Sequence, residues 1–148
     1  MTGEPLAGIG AVKLDLFGTV ALAVVTLGAA AETNATDLAN LAVSGALFLG
    51  GCVAFGLGFV RAAGRSRTEV VDLAGLFYLT GSAPRQARRV MLGLWFAQIA
   101  VASASVFFVS PPFAVMAPVW GIGMLTYWAS RHATFPSRER VQTGRPDR

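Results

Sequence analysis

The sequence predicts an all-α membrane protein: a four-helix transmembrane bundle of antiparallel up-down topology, with a short amphipathic helix on the cytoplasmic interface between spans two and three. Three observations predict it. Of 148 residues, 54% are hydrophobic and 14% charged, against roughly 25% charged in an ordinary soluble domain, so the chain has too few charges to solvate a globular surface. Four apolar stretches approach the about 20 residues that a helix needs to cross a hydrocarbon core about 30 Å thick. All twelve lysines and arginines fall on one side of those stretches, the bias that marks a cytoplasmic face.

The first stretch runs over residues 14–31, the second over 38–60, the third over 90–109 and the fourth over 112–130. None alternates with the period of two that a barrel strand requires, and a helix closes its own backbone hydrogen bonds in lipid, so each is predicted helical. Residues 1–136 read as one bundle domain without internal repeats, and residues 137–148 as a disordered cytoplasmic tail, charged and without apolar period. The first span is the weakest, because Lys13 and Asp15 stand at its entrance. A rival reading makes it a signal peptide, with Lys13 as the basic region, Leu16 to Leu27 as the apolar core and Ala29 to Ala31 as the cleavage site. Asp15 is out of place in such a segment, and removing one span would put bases on both faces.

Orientation follows from the bases. Lys13 precedes span one; Arg61, Arg65, Arg67, Arg85, Arg88 and Arg89 lie between spans two and three; Arg131, Arg138, Arg140, Arg145 and Arg148 follow span four. The opposite face carries Glu32 and Asp37, so both termini and the central connection are expected in the cytoplasm of a bacterial plasma membrane. Trp95, Tyr127 and Trp128 are read as aromatic anchors at that interface. Within the connection, Ser66 and Glu69 have capping-box spacing, and Val70, Leu73, Ala74 and Phe77 recur at helical period before Gly81. They predict an interfacial helix over about 67–80. Ser82 and Pro84 then read as the start of the next helix, with Arg85, Arg88 and Arg89 on its first turns, placed to meet anionic headgroups.

Catalytic, cofactor and metal sites are expected to be absent. Cys52 is the single cysteine and His132 the single histidine, and neither has ligand or acid-base partners at a useful spacing. Ser103, Ser105 and Ser110 lack the turn that sharpens a nucleophile. Gly121-Ile122-Gly123 is too short for a phosphate loop, Pro118 is read as a kink in span four, and Asn34-Ala35-Thr36 as a chance glycosylation match. A nucleic-acid partner is not expected despite a pI near 10.2, since the bases border apolar spans and attraction to lipid headgroups explains them.

Two features are carried forward as sites. Small residues recur at Ala42, Ala46, Gly50, Ala54 and Gly58 in span two and at Gly93, Ala97, Ala100 and Ala104 in span three, a pattern that lets helix backbones approach within this bundle, in a homo-oligomer or against a partner protein. The intramembrane polar residues are Gln98 and Ser105, seven apart on one face of span three, with Ser44 and Thr26 on other helices. Gln98 is read as an interhelical hydrogen-bond donor. Asp15 is read as interfacial because Lys13 is so close, whereas a proton-coupled transporter would carry its carboxylate nearer the midplane.

The runs Leu76 to Gln98 and Ala117 to Arg138, above all Gly81-Ser82-Ala83-Pro84-Arg85, Gly121-Ile122-Gly123 and Ala129 to Pro136, resemble those of a family of small, uncharacterised actinobacterial four-span integral membrane proteins. The resemblance covers somewhat under half of the chain. It implies a plasma-membrane protein of a high-GC bacterium and carries no activity with it. The chain departs from small multidrug transporters, which centre on a glutamate in their first span, and from four-span fluoride channels, whose polar filter residues it lacks. The leading expectation is a non-enzymatic scaffold or accessory subunit acting through helix packing. The alternatives are a small homo-oligomeric transporter or channel, and a protein that binds lipid headgroups through Arg85, Arg88 and Arg89.

Overall fold

The computed structural model describes residues 8–31 and 33–138. These residues form five α-helices and no strand: α1 Ile9–Ala29, α2 Asn34–Arg65, α3 Leu73–Phe77, α4 Arg85–Ser105 and α5 Pro118–His132, the last preceded by a 3-10 turn at Phe113–Met116. Three helical segments are long and apolar enough to cross a membrane, Ile9–Ala29, Asn34–Arg65 and Phe113–His132, as a multi-pass membrane protein requires. The third expected span, 90–109, is not among these three. α4 spends its first turns on arginines and ends at Ser105, leaving Val90–Ser105, about 24 Å of helix at 1.5 Å per residue.

Helix boundaries follow local chemistry. α1 begins at Ile9, five residues earlier than hydropathy alone suggests, because Gly8 takes a left-handed conformation (φ 73°). A Cβ there would lie 2.6 Å from the Trp128 and His132 rings. α2 starts at a capping box in which the Thr33 hydroxyl accepts from the Thr36 N–H at 3.3 Å and the Thr33 N–H donates to the Thr36 hydroxyl at 3.2 Å. Thr36 of the apparent glycosylation match is thus a capping residue. Pro118 does not kink a span but opens α5, where its missing N–H has no partner to lose.

The helices run up and down. One apolar cluster joins the start of α1 (Val12), the end of α2 (Ala62), α3 (Leu76), the start of α4 (Met91) and the end of α5 (Leu125, Trp128). A second joins Leu22 of α1 and Ala114 and Ala117 before α5 with Leu47 of α2 and Val101 of α4. Elements that share an end in this way alternate in direction. α2 and α5 come closest: Gly123 sits against the Gly51 carbonyl, and a Cβ on Gly51 would lie 2.5 Å from the Val119 carbonyl oxygen. Two backbones meet there with no side chain between them.

The connection from α2 to α4 differs from the prediction. Only Leu73–Phe77 is helical, capped by Asp72, whose carboxylate accepts from the Gly75 N–H at 2.8 Å. Ser66 and Glu69 form no capping box: the Ser66 hydroxyl donates to the Ala63 carbonyl, and Glu69 pairs with Arg65 at 2.6 Å. The inward face is Leu76 and Leu79, while Val70, Leu73 and Ala74 are exposed. The cause is tertiary. The Val70 N–H donates to the Pro136 carbonyl at 2.8 Å and the Arg138 N–H to the Thr68 carbonyl at 3.0 Å, which pairs Glu69 with Ser137 in an isolated antiparallel bridge just after the turn at residues 66–68. Ser137 and Arg138, assigned from sequence to the tail, are therefore tied to this connection; the rest of the tail, residues 139–148, lies outside the described residues, as does Glu32.

Candidate functional site

Three places bring polar or unusual groups together: a buried cluster between α1, α4 and α5, a basic groove at the start of α4, and the outer face of α4.

The buried cluster centres on Gln98, 1% exposed, and Asp15, 0% exposed. The Gln98 amide donates to Asp15 Oδ1 at 3.0 Å and to the Thr19 hydroxyl at 2.8 Å, and its carbonyl oxygen accepts from the Gly121 N–H at 3.0 Å. The Thr19 hydroxyl in turn donates to the Asp15 backbone carbonyl at 2.8 Å. One glutamine side chain thereby links three helices with both of its donors and its acceptor engaged. Gly121 is required beside it, since a Cβ would lie 2.8 Å from Gln98 Oε1. Asp15 Oδ2 is buried without a hydrogen-bond partner.

Asp15, read from sequence as interfacial, is turned into the bundle instead: it is fully buried and bonded to Gln98, while Lys13 is exposed on the other side of α1. The signal was present in the register: Val12, Asp15, Thr19, Leu22, Thr26 and Ala29 form the buried stripe of α1 at alternating spacings of three and four. Thr19 and Gly121 were missed for the same reason, having no charge to draw attention.

Ser105 is buried but donates to the Ala102 carbonyl of its own helix at 2.7 Å, so it does not extend the cluster. Ser44 donates to Asn40 Oδ1 at 3.2 Å, while Asn40 Nδ2 and Thr26 Oγ1 are buried without partners. Of the three aromatic residues read as interfacial anchors, Trp128 is buried, whereas Trp95 and Tyr127 are half-buried: the Trp95 indole donates to the Pro118 carbonyl at 3.2 Å, and Arg131 lies over the Tyr127 ring at 4.7 Å.

The two stripes of small residues go to different places. On α2, Gly58 is buried against the Thr126–Tyr127 backbone, Gly50 faces the Trp120 ring, Ala54 packs beside the first cluster, and Ala42 and Ala46 are exposed. The buried stripe of α2 is Asn40, Ser44, Gly51, Gly58 and Ala62. On α4, Gly93, Ala97, Ala100 and Ala104 are all exposed, and the inward face is Ala87, Met91, Gln98, Ala102 and Ser105. Beside the outer face, Ala104, Val101 and Phe108 border a cleft with Ala23, Thr26 and Leu27 of α1. Thr26 lines it with its apolar atoms, its hydroxyl being buried without a partner.

Arg85, Arg88 and Arg89 line one groove of about 450 Å³ together with Leu92, Gly93 and Phe96. Arg88 Nε donates to the Tyr78 carbonyl at 3.1 Å. Among the described residues no group of three His, Cys, Asp or Glu side chains is placed to hold a metal ion. Compared with protein-family profiles, curated proteins and solved structures, the chain matches none.

Proposed function

We propose that this chain is a non-enzymatic, four-crossing protein of a bacterial plasma membrane that works as a scaffold or accessory subunit, receiving a transmembrane helix of another membrane protein on the outer face of α4. The observation that carries the reading is the outer face of α4 itself, where Gly93, Ala97, Ala100 and Ala104 are all exposed. Their small side chains would let a second backbone approach. A helix laid along them covers apolar surface that this bundle leaves bare. In this reading α4 is the short fourth crossing, with its arginines at the headgroup level. Lys13, Arg61, Arg65, Arg85, Arg88, Arg89 and Arg131 share the end of the bundle that carries the connection, which supports termini in the cytoplasm.

A photo-crosslinking residue at Ala97 or Ala100, in membranes of the native host, tests the docking face. The expected product is an adduct with a transmembrane peptide of one second protein, lost for the Ala97 probe in Ala100→Leu and absent from a probe at Leu49 on the lipid side of α2. Adducts with lipid alone, or only with a second copy of this chain, overturn the accessory reading. For orientation, a cysteine at Ala35 in a Cys52→Ser background is expected to react with impermeant maleimide in intact cells, and one at Arg67 only after lysis.

The alternative, a small transporter, is favoured by one observation, the Asp15 carboxylate buried between the helices, because ionisable groups inside a spanning bundle are costly and commonly functional. Proteoliposome flux that disappears in Gln98→Leu would select it over the accessory reading.

A further inference from the structure

We propose that the groove at the start of α4 is a binding site for an anionic phospholipid, with Arg85, Arg88 and Arg89 holding the headgroup phosphate and Leu92, Gly93 and Phe96 seating the first methylenes of an acyl chain. The groove shares Gly93 with the docking face, but the three arginines that carry the inference lie outside that face.

The arginines of this protein divide into two kinds. Arg65 is fully engaged: it pairs with Glu69, donates to the Ser130 and Ala133 carbonyls at 3.1 and 2.9 Å, and lies 5.2 Å from the Phe135 ring. Arg131 lies over Tyr127. Both hold the fold. Arg85, Arg88 and Arg89 instead face one groove together. The sole ion pair among the described residues is Arg65 with Glu69, so no described carboxylate pairs with any of the three. Arg88 alone has an internal bond, through Nε to the Tyr78 carbonyl, which orients its guanidinium and leaves the two terminal nitrogens toward a ligand. Three guanidiniums at one spot suit a phosphate, whose oxygens accept paired N–H donors.

What selects a lipid over a free phosphate is the rest of the wall. Phe96 is 58% exposed. Nothing lies within 4 Å of where a Cβ on Gly93 would be, so the surface there is an open slot along the helix backbone. Charge at the helix start and apolar surface one to two turns deeper reproduce the order of groups in a phospholipid, phosphate outermost and acyl chain inward. A soluble anion would gain nothing from Phe96 or from the slot.

The test uses the full chain, reconstituted with equal phosphatidylglycerol and phosphatidylcholine, extracted in mild detergent and analysed by native mass spectrometry. Wild type is expected to retain phosphatidylglycerol at least tenfold over phosphatidylcholine. Arg85→Gln with Arg89→Gln, which removes no internal hydrogen bond, is expected to abolish that preference while circular dichroism is unchanged. Gly93→Leu, which fills the slot and keeps every charge, is expected to lower retention severalfold. The control pair Arg61→Gln with Arg67→Gln is expected to leave the preference intact. Equal retention of the two lipids, an equal loss in the control pair, or displacement of the lipid by millimolar inorganic phosphate with Gly93→Leu silent would each overturn the proposal. The last outcome would mean a site for a free anion.

Discussion

The α2–α5 interface and the outer face of α4 carry the same sequence signature, small residues every three or four positions, yet the structure puts one at the centre of the bundle and the other on its surface. Between α2 and α5 the match is mutual: Gly51 and Gly58 meet backbone at Val119 and Thr126, and Gly123 returns the contact. On α4 the small residues have no counterpart in the chain, and its inward face is held by Gln98 and packed through Met91 and Ala102. A small-residue stripe therefore permits close approach without directing it. The direction comes from the helix opposite, and on α4 from a polar group that must be buried.

The largest break in that comparison is expected from Gly51→Leu. The new side chain collides with α5 backbone rather than with a yielding side chain, and overpacking of this kind destabilises by about 3 kcal/mol or more. Unfolding in mixed micelles, followed by circular dichroism, measures it, and an unaltered midpoint would refute the close contact. Gln98→Leu comes next. It strands the Asp15 carboxylate and the Gly121 N–H in an apolar interior, a loss of about 1–3 kcal/mol, visible as separation of α1 from α4 in a distance measurement between spin labels. Asp15→Asn is smaller, since its side-chain carbonyl still accepts from Gln98; a change of no more than about 1 kcal/mol is expected. A loss equal to that of Gln98→Leu would show that the charge, not the hydrogen bond, matters. The smallest effect belongs to Ala100→Leu, on a face that nothing in the bundle covers: stability within about 0.5 kcal/mol of wild type, with the crosslink at Ala97 abolished.

Much of the fold was legible residue by residue. Ser82 and Pro84 announced the start of α4, and the arginines after them sit on its first turns as expected. The interfacial helix was not legible. Its apolar period was read from Val70, Leu73 and Phe77, whereas Val70 and Thr68 are tied to partners more than sixty positions away, Pro136 and Arg138. Asp15 was misplaced because proximity to Lys13 in sequence says nothing about the two sides of a helix, and Lys13 and Asp15 face opposite ways.

By itself the sequence determined the helical class, three long apolar segments fit to cross a membrane and the gathering of bases at one end. Each of these follows from local physics: backbone groups in lipid must bond within their own segment, a hydrocarbon core has a set thickness, and cationic side chains seek the headgroups. Only the tertiary structure decided which face of each helix turns inward, that Gln98 gathers Asp15, Thr19 and Gly121, and that the α4 stripe looks outward. In a soluble protein the apolar side of a helix would announce its interior. Here lipid and core are equally apolar, so hydropathy does not distinguish them, and the choice falls to close backbone contact and to the few polar groups that must find one another.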